Sequence, residues 1–297
     1  MATLTPRLVV RPIEQRDTTT IMHWVNKWRR VHWCISPAEV EKKVAIQPGF
    51  LAEDSSGLRG FMLTEFQPAG HLLIIGVALR DTWSIRAYLR HLLPPLEKLM
   101  QTESATGIMH IGGTDWFVNG VVEYGFTSKG WIVNLERHSE VSLPPFTLPV
   151  AHIRPATKAD VSAIHEIDCL TFDVMWHKAR PYFEDALSPP HNLLTAVLNR
   201  RVVGYIWSER YQNRVHITRL VVHPDYQGRQ IGQQLLHYML TSMLANGATR
   251  FSTNTLTDNQ AALKLYQQFK FDYTELNLPI LWCDASALQA EKKIAAI

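Results

Sequence analysis

The sequence lacks several features that mark whole classes of protein. It has three cysteines in 297 residues, Cys34, Cys169 and Cys283. They are odd in number and far apart, so they form no disulfide framework and match no zinc-ligand spacing. The expectation is three small buried side chains in a reducing compartment and no metal centre. Charge of one sign is also missing: 30 Lys and Arg stand against 27 Asp and Glu, a formal charge of +3. Residues 1–150 carry fifteen basic and fourteen acidic side chains, and residues 151–297 carry fifteen and thirteen. Neither half is a basic module, so the electrostatic footprint of a nucleic-acid binder is missing. Long apolar runs are absent too. The most apolar stretch, Phe61 to Leu79, is broken by Glu65, Gln67, Pro68 and His71. A membrane span needs about 20 apolar residues. The opening MATLTPRLVV has no signal-peptide apolar core. The expected location is the cytoplasm, with no membrane partner.

What is present is an ordinary folded composition, 46% hydrophobic and 19% charged. At about 150 residues per domain the length predicts two domains. An internal repeat of domain length supports this. Val10-Arg11-Pro12 with Asp17 returns as Ile153-Arg154-Pro155 with Asp160, 143 positions on. Leu58-Arg59-Gly60-Phe61 resembles Val202-Val203-Gly204-Tyr205, 144 positions on. Ile75–Leu79 matches Leu220–Pro224, and Tyr124-Gly125-Phe126 matches Phe269-Lys270-Phe271, both at 145. Between Glu136 and Val150 the chain has three prolines and no periodicity, as linkers do. The expected domains are 1–145 and 150–297, with the joint near Pro149.

The second copy is the clearer. Asp160 is expected to cap a helix carrying Val161, Ile164 and Ile167 on one face. Asn192–Val197, Arg201–Ser208 and Val215–Val222 read as strands. A helix follows with Leu235, Leu236, Met239, Leu240, Met243 and Leu244 on one face. Asn246-Gly247 ends it. Arg250–Thr255 is a strand, Asp258 is expected to cap a helix through about Phe269, and Tyr273–Trp282 holds a last strand or two, interrupted at Pro279. Such an order is a mixed α+β layer fold.

The segment Leu220–Gly232 carries the chemistry. A strand ends, a short glycine-containing turn follows, and a long helix begins. The first amides of a helix have no internal partners and its dipole is positive there. Such a turn binds anions, and pyrophosphate suits it. It is not a Walker loop, for no Gly-Lys-Ser/Thr follows, and it lacks the three-glycine dinucleotide spacing.

Val222-His223-Pro224-Asp225-Tyr226-Gln227-Gly228-Arg229-Gln230-Ile231-Gly232 resembles the acetyl-CoA loop of the GCN5-related N-acetyltransferases, Gln/Arg-x-x-Gly-x-Gly/Ala. Gln227 fits the first position and Gly232 the last, while Gln230 replaces the middle glycine. Asn259, Ala262, Leu265, Tyr266 and Phe271 resemble that family's second motif, with Lys270 in place of its glycine. The resemblance covers about 140 residues, nearly the whole second half. It implies two tandem copies of the fold, each a mixed, mostly antiparallel sheet with a bulge and two splayed strands, flanked by helices. It implies direct acetyl transfer from acetyl-CoA to an amine, either a small molecule or a peptide N-terminus. The amides of Leu220 and Val222 would hold the pantetheine arm. Those of Gln227, Gly228, Arg229, Gln230, Ile231 and Gly232 would hold the pyrophosphate. Asn259 would bind the cofactor or a water, and Tyr266 would protonate the leaving thiolate.

By pattern alone Tyr266 is a core aromatic, Asn259 a first-turn polar residue and Gly232 a packing glycine. The family often has Glu at the position of Thr218. His216, two residues earlier on the same strand, is a candidate base, with a buried structural histidine or a water relay as the alternative readings. Glu209, Asp173 and His177 are further candidates. A non-catalytic acyl-CoA sensor or interaction protein is the competing reading. Either would be a monomer or a homodimer.

In the first copy, an offset of 145 puts Thr82–Ala87 at Gln227–Gly232, Val121 at Tyr266 and Thr114 at Asn259. Catalytic positions are lost, and Pro94-Pro95 is expected to kink or end the following helix. This copy also holds six of nine tryptophans, Trp24, Trp28, Trp33, Trp83, Trp116 and Trp131. They fill a core or wall a substrate cleft.

Overall fold

The computed structural model describes residues 7–35, 39–113, 115–146, 149–189 and 191–288. Contacts divide the chain into two compact units, Met1–Gly130 with Leu278–Ile297, and Trp131–Asn277. The division therefore does not fall near Pro149. The chain passes from one unit to the other inside two strands, β7 (Thr127–His138) and β13 (Asp272–Asp284). The linker expected from Glu136 begins later, because Glu136 to His138 still belong to β7.

The other described elements of the first unit are β1 (Val9–Pro12), α1 (Thr18–Val25), β2 (Arg30–Trp33), α2 (Val40–Ile46), β3 (Gly49–Asp54), β4 (Gly57–Phe66), β5 (Leu72–Leu79), α3 (Ile85–Thr102), β6 (Gly107–Ile111) and α4 (Asp115–Val122). Its sheet runs β1-β3-β4-β5-β6 and ends on the second half of β13, with β2 also on β5. Neighbours are antiparallel except β5 and β6. The run LLIIGVAL in β5 is apolar throughout because cores lie on both faces. Leu72, Ile74, Val77 and Leu79 join one with α3, and Ile75 and Ala78 join the other with Ile21 of α1. Pro94 and Pro95 do not end α3. The helix is anchored on both sides of them by fully buried Tyr88, Leu89, Leu92, Leu93 and Leu96. Trp24, Trp28, Trp33, Trp83 and Trp116 pack on these cores, while Trp131 is exposed.

The second unit contains β8 (His152–Pro155), α5 (Val161–Thr171), α6 (Arg180–Asp185), β9 (His191–Leu198), β10 (Arg201–Tyr211), β11 (Arg214–Val222), α7 (Ile231–Ala245), β12 (Arg250–Leu256) and α8 (Gln260–Gln268). Its sheet runs β8-β9-β10-β11-β12 and ends on β7 from Ile132 to His138. Only β11 and β12 are parallel. The strands expected from alternation are all present. β13 is one strand running through Pro279, where a break was expected.

The repeat shows in matching ion pairs. Arg11 holds Asp17 at 2.7 and 2.8 Å, and Arg154 holds Asp160 at 2.8 Å through both nitrogens. Asp160 stands at the N-cap of α5, as expected, but its side chain makes no cap bond to that helix and takes this guanidinium and the Thr157 amide at 2.7 Å. Arg154 holds the Asp160 carboxyl down at about 2. Asp258 does not cap α8; Asn259 does, its oxygen accepting from the Ala262 amide at 3.1 Å.

The strand register corrects one alignment. Gly60 faces Leu79, and Gly204 faces Val222. Leu79 therefore corresponds to Val222, an offset of 143 rather than 145. The turns after these strands then differ in length. Five residues, Arg80–Ser84, separate β5 from α3, and eight, His223–Gln230, separate β11 from α7.

Candidate active site

β11 carries a bulge at Thr218: Trp207 pairs with Arg219, and Ser208 with Ile217. The bulge changes which face successive side chains take. Val215 and Ile217 lie in the core with α7 and Tyr266. Past the bulge, Leu220 and Val222 pack there, while Val221 joins the core under α5. β12 pairs with β11 only from Arg214–Arg250 to Ile217–Thr253. Beyond that point the two parallel strands part. The β11 edge at Leu220 and Val222, predicted to take a pantetheine arm, therefore faces a wedge.

At the wide end of the wedge lies the turn. Pro224–Tyr226 form one 3₁₀ turn, and Gly228 and Gln230 follow with φ of +74° and +64°. Gln230 takes the left-handed conformation that explains the family's glycine, at a cost of roughly 1–2 kcal/mol for a side-chain-bearing residue. The Gln227 carboxamide donates to the Val222 carbonyl at 3.0 Å, and Arg229 to the Asp225 carbonyl at 3.1 Å. These bonds fold the turn so that the opening amides of α7 are left without acceptors one turn back. A Cβ on Gly232 would meet Leu265 and Val222 at 3.7 Å, an ordinary contact. Packing alone therefore does not require glycine there. An open cleft of about 480 Å³ borders the turn, lined by Glu166, Arg200, Arg201, His223 and Tyr226 among others.

Tyr266 of α8 stands at the vertex. It is 4% exposed and reaches Thr253, the last residue of the parallel pairing. Thr253 donates in turn to the Ile217 carbonyl at 3.1 Å. Burial raises the Tyr266 hydroxyl above the usual phenol range, so it stays a proton donor. Tyr266 is therefore buried in the core, with its hydroxyl where the pairing of the two strands ends.

His216 is partly buried opposite Glu209 on β10, and its Nδ1 lies 3.0 Å from Ser252 Oγ. Burial pushes this imidazole below its ordinary range, and Glu209 pulls it back up. Thr218 donates to Glu209 Oε1 at 3.4 Å. A carboxylate thus reaches the place where Thr218 supplies none. Asp173 is spent on the Met175 amide at 3.1 Å, and the His177 ring lies 3.0 Å from the Phe172 carbonyl. Asn259 uses its oxygen as the cap of α8.

Sequence reasoning missed a clamp beside this group. Arg219 and Asp168 form a buried pair at 2.6 Å, with Asp168 fully buried. Asp168 also accepts from Tyr205 at 2.5 Å and from the Lys178 amide at 3.2 Å. Arg219 bonds the Trp176 carbonyl and stacks on Phe172 at 4.0 Å. The segment 172–178 is thereby fixed to β11 next to Leu220. The available signal was an acid following Ile164 and Ile167 on the apolar face of α5, and an arginine inside an apolar strand.

Of the cysteines, only Cys283 is buried. Cys34 is exposed and Cys169 half-buried, contrary to expectation. Among the described residues no group of three or more His, Cys, Asp or Glu could hold a metal, and no helix is long and apolar enough to cross a membrane.

Residues 161–271 match the Acetyltransferase (GNAT) family. A Bacillus subtilis (strain 168) protein, provisionally named a [ribosomal protein bS18]-alanine N-acetyltransferase, is 24% identical over 119 residues, 40% of this chain and 79% of its own. The fold extends further. A GCN5-related N-acetyltransferase from Sphaerobacter thermophilus superposes with a TM-score of 0.68 at 13% identity, over 95% of this chain and 97% of its own. A tandem GNAT protein from the clavulanic acid biosynthesis pathway gives 0.67 at 11%, over 94% and 99%. With the wedge, the bulge and the turn built in its second unit and their frame repeated in its first, this chain has the fold of a tandem GCN5-related N-acetyltransferase, and its second unit matches the Acetyltransferase (GNAT) family over residues 161–271.

Proposed function

We propose that the second unit is an acetyl-CoA-dependent N-acetyltransferase acting on a primary amine, of a small molecule or a peptide N-terminus. The observation that carries the reading is the wedge, with a buried phenol at its vertex and an amide-lined turn at its mouth. The amides of Leu220 and Val222 hold the pantetheine arm, and those of Gln227 to Gly232 hold the pyrophosphate. The amine enters on the α5 face, beside segment 172–178. Glu209 draws the ammonium in, and His216, kept neutral by burial, takes its proton. The free amine attacks the acetyl carbon. From the other face, Tyr266 donates its proton as the thiolate leaves. The chain works in the cytoplasm, as a monomer or homodimer, without metal.

Thiol release from acetyl-CoA against a panel of amines tests this. Tyr266→Phe should lower turnover about tenfold to a thousandfold, overlapping the range of about 10²–10⁴ for losing one acid catalyst, with acetyl-CoA affinity nearly unchanged. Binding of acetyl-CoA without turnover on any amine would turn the reading to an acyl-CoA sensor. An unchanged rate in the variant, with chemistry limiting, would return Tyr266 to the core alone.

A further inference from the structure

The first unit builds the same wedge, between β5 and β6. These strands are parallel from Leu72–Ile108 to Ile74–His110 and then part. A bulge stands at Ile75, as at Thr218. The wedge is filled from within. β2 pairs with β5 at Arg30–Leu79, Val31–Ala78, His32–Val77 and Trp33–Gly76, and the Cys34 amide donates to the Ile75 carbonyl at 2.9 Å. By the corrected register, Gly76–Leu79 correspond to Arg219–Val222, the edge that the preceding section gives to pantetheine.

The turn is filled as well. Arg30 Nη2 donates to the carbonyls of Arg80, Asp81 and Trp83 at 2.7, 2.8 and 2.6 Å. This shorter turn presents oxygens to a cation, where the longer one leaves amides for an anion. At the vertex, the His32 ring lies 4.6 Å from that of His110. His110 pairs with Ile74 as Thr253 pairs with Ile217. A Cβ on Gly112 would fall 2.4 Å from the His32 ring, and one on Gly76 would fall 2.7 Å from Trp33. The two glycines fit β2 closely.

We propose that β2 is a built-in plug: it takes the place of pantetheine on β5, with Arg30 in the pyrophosphate turn, and keeps acyl-CoA out of the first unit. The proposal rests on the reading of the β11 edge as the acyl-CoA groove. An acyl-CoA could pair with β5 only by displacing a tethered strand, whose effective concentration is about millimolar or higher.

Hydrogen–deuterium exchange of the full chain, with and without acetyl-CoA, tests it. Without ligand, the amides of 76–79 should be protected, and acetyl-CoA should leave them unchanged. Antiparallel bonds alternate, so with Cys34 bonded to Ile75 the next bonded residue of β2 is His32. His32→Pro removes that donor and should speed exchange at 76–79 at least tenfold, with 214–222 unchanged. Should that variant unfold, Arg30→Ala decides, with an expected acceleration of threefold or more at 76–83. The proposal is overturned if 76–79 exchange like an open edge in the wild type, or gain protection from acetyl-CoA. Absence of any acetyl-CoA protection at 218–232 would overturn the proposed function instead, and the ligand-free exchange would still decide on the plug.

Discussion

The two units carry the same frame and differ at the wedge. Both have a parallel pair that parts after four or fewer residue pairs, a bulge at the parting, and an arginine–aspartate pair at the first strand. In the second unit the wedge is lined by a strand edge with no partner strand among the described residues, a turn of eight residues and a buried phenol. In the first it holds four residues of β2, an arginine on three carbonyls and two imidazoles. The difference between the two wedges is not only one of side chains. A turn shortened by three residues aims carbonyls where amides would be, and a connecting segment fills what remains. The units differ also in how each completes its sheet. Seven residue pairs join β12 to β7, from Arg250–His138 to Leu256–Ile132, and β6 is closed by Ile280–Asp284 of β13.

The largest expected effect breaks this last feature. A fragment 150–297, cut where the sequence repeat suggests, loses β7 from the second unit. Buried Arg137, which donates to the Phe269 carbonyl at 2.9 Å, goes with it. It should show no cooperative thermal transition. A fragment 131–277, cut at the unit bounds, should show one. Equal behaviour of the two fragments would mean that β7 adds nothing to the second unit.

Next comes the clamp. Asp168→Ala leaves Arg219 buried without its carboxylate, and breaking a buried pair costs about 3–5 kcal/mol. Chemical denaturation should show the second unit losing stability on that scale. A loss below about 1 kcal/mol, the value of an exposed pair, would mean that the pair is solvated.

Smaller still is an effect confined to the first unit. Neither ring nitrogen of His110 has a partner among the described residues, and burial pushes the imidazole down to about 3. The unfolded histidine titrates near about 6.5. The unfolded state therefore binds its proton first as pH falls. This contribution is fully present above pH about 6.5 and is lost towards 3, by at most about 1.4 kcal/mol per pH unit. Urea midpoints at neutral and mildly acid pH should fall less in His110→Leu than in the wild type. Equal falls would show that His110 is not the group responsible.

Much of the second unit was legible because its signals are local. The stripe Leu235–Leu240, the alternation of β11, the Asn246-Gly247 stop and the Gln227–Gly232 turn each follow from neighbouring residues. The errors came where distant residues decide. Asp160 stands at the N-cap of α5, but its carboxylate goes to Arg154 of β8; the shift of the α8 cap from Asp258 to its neighbour Asn259 is a local exception. Pro94-Pro95 is overridden by the core on either side. The exchange of β7 and β13 between units leaves no local mark. The mapping of Thr114 falls outside the described residues. The mapping of Thr82–Ala87 failed because one offset was carried across a turn of different length. β2, only four residues long, carries no periodicity that would reveal it.

The central claim is that one wedge of the two is open to acyl-CoA. A calorimetric titration of acetyl-CoA into the full chain, repeated with Gly232→Glu, tests it most directly. The account predicts one site per chain in the wild type and none in the variant, where bulk and negative charge fill the turn. Two sites in the wild type, or one that survives Gly232→Glu, would contradict it.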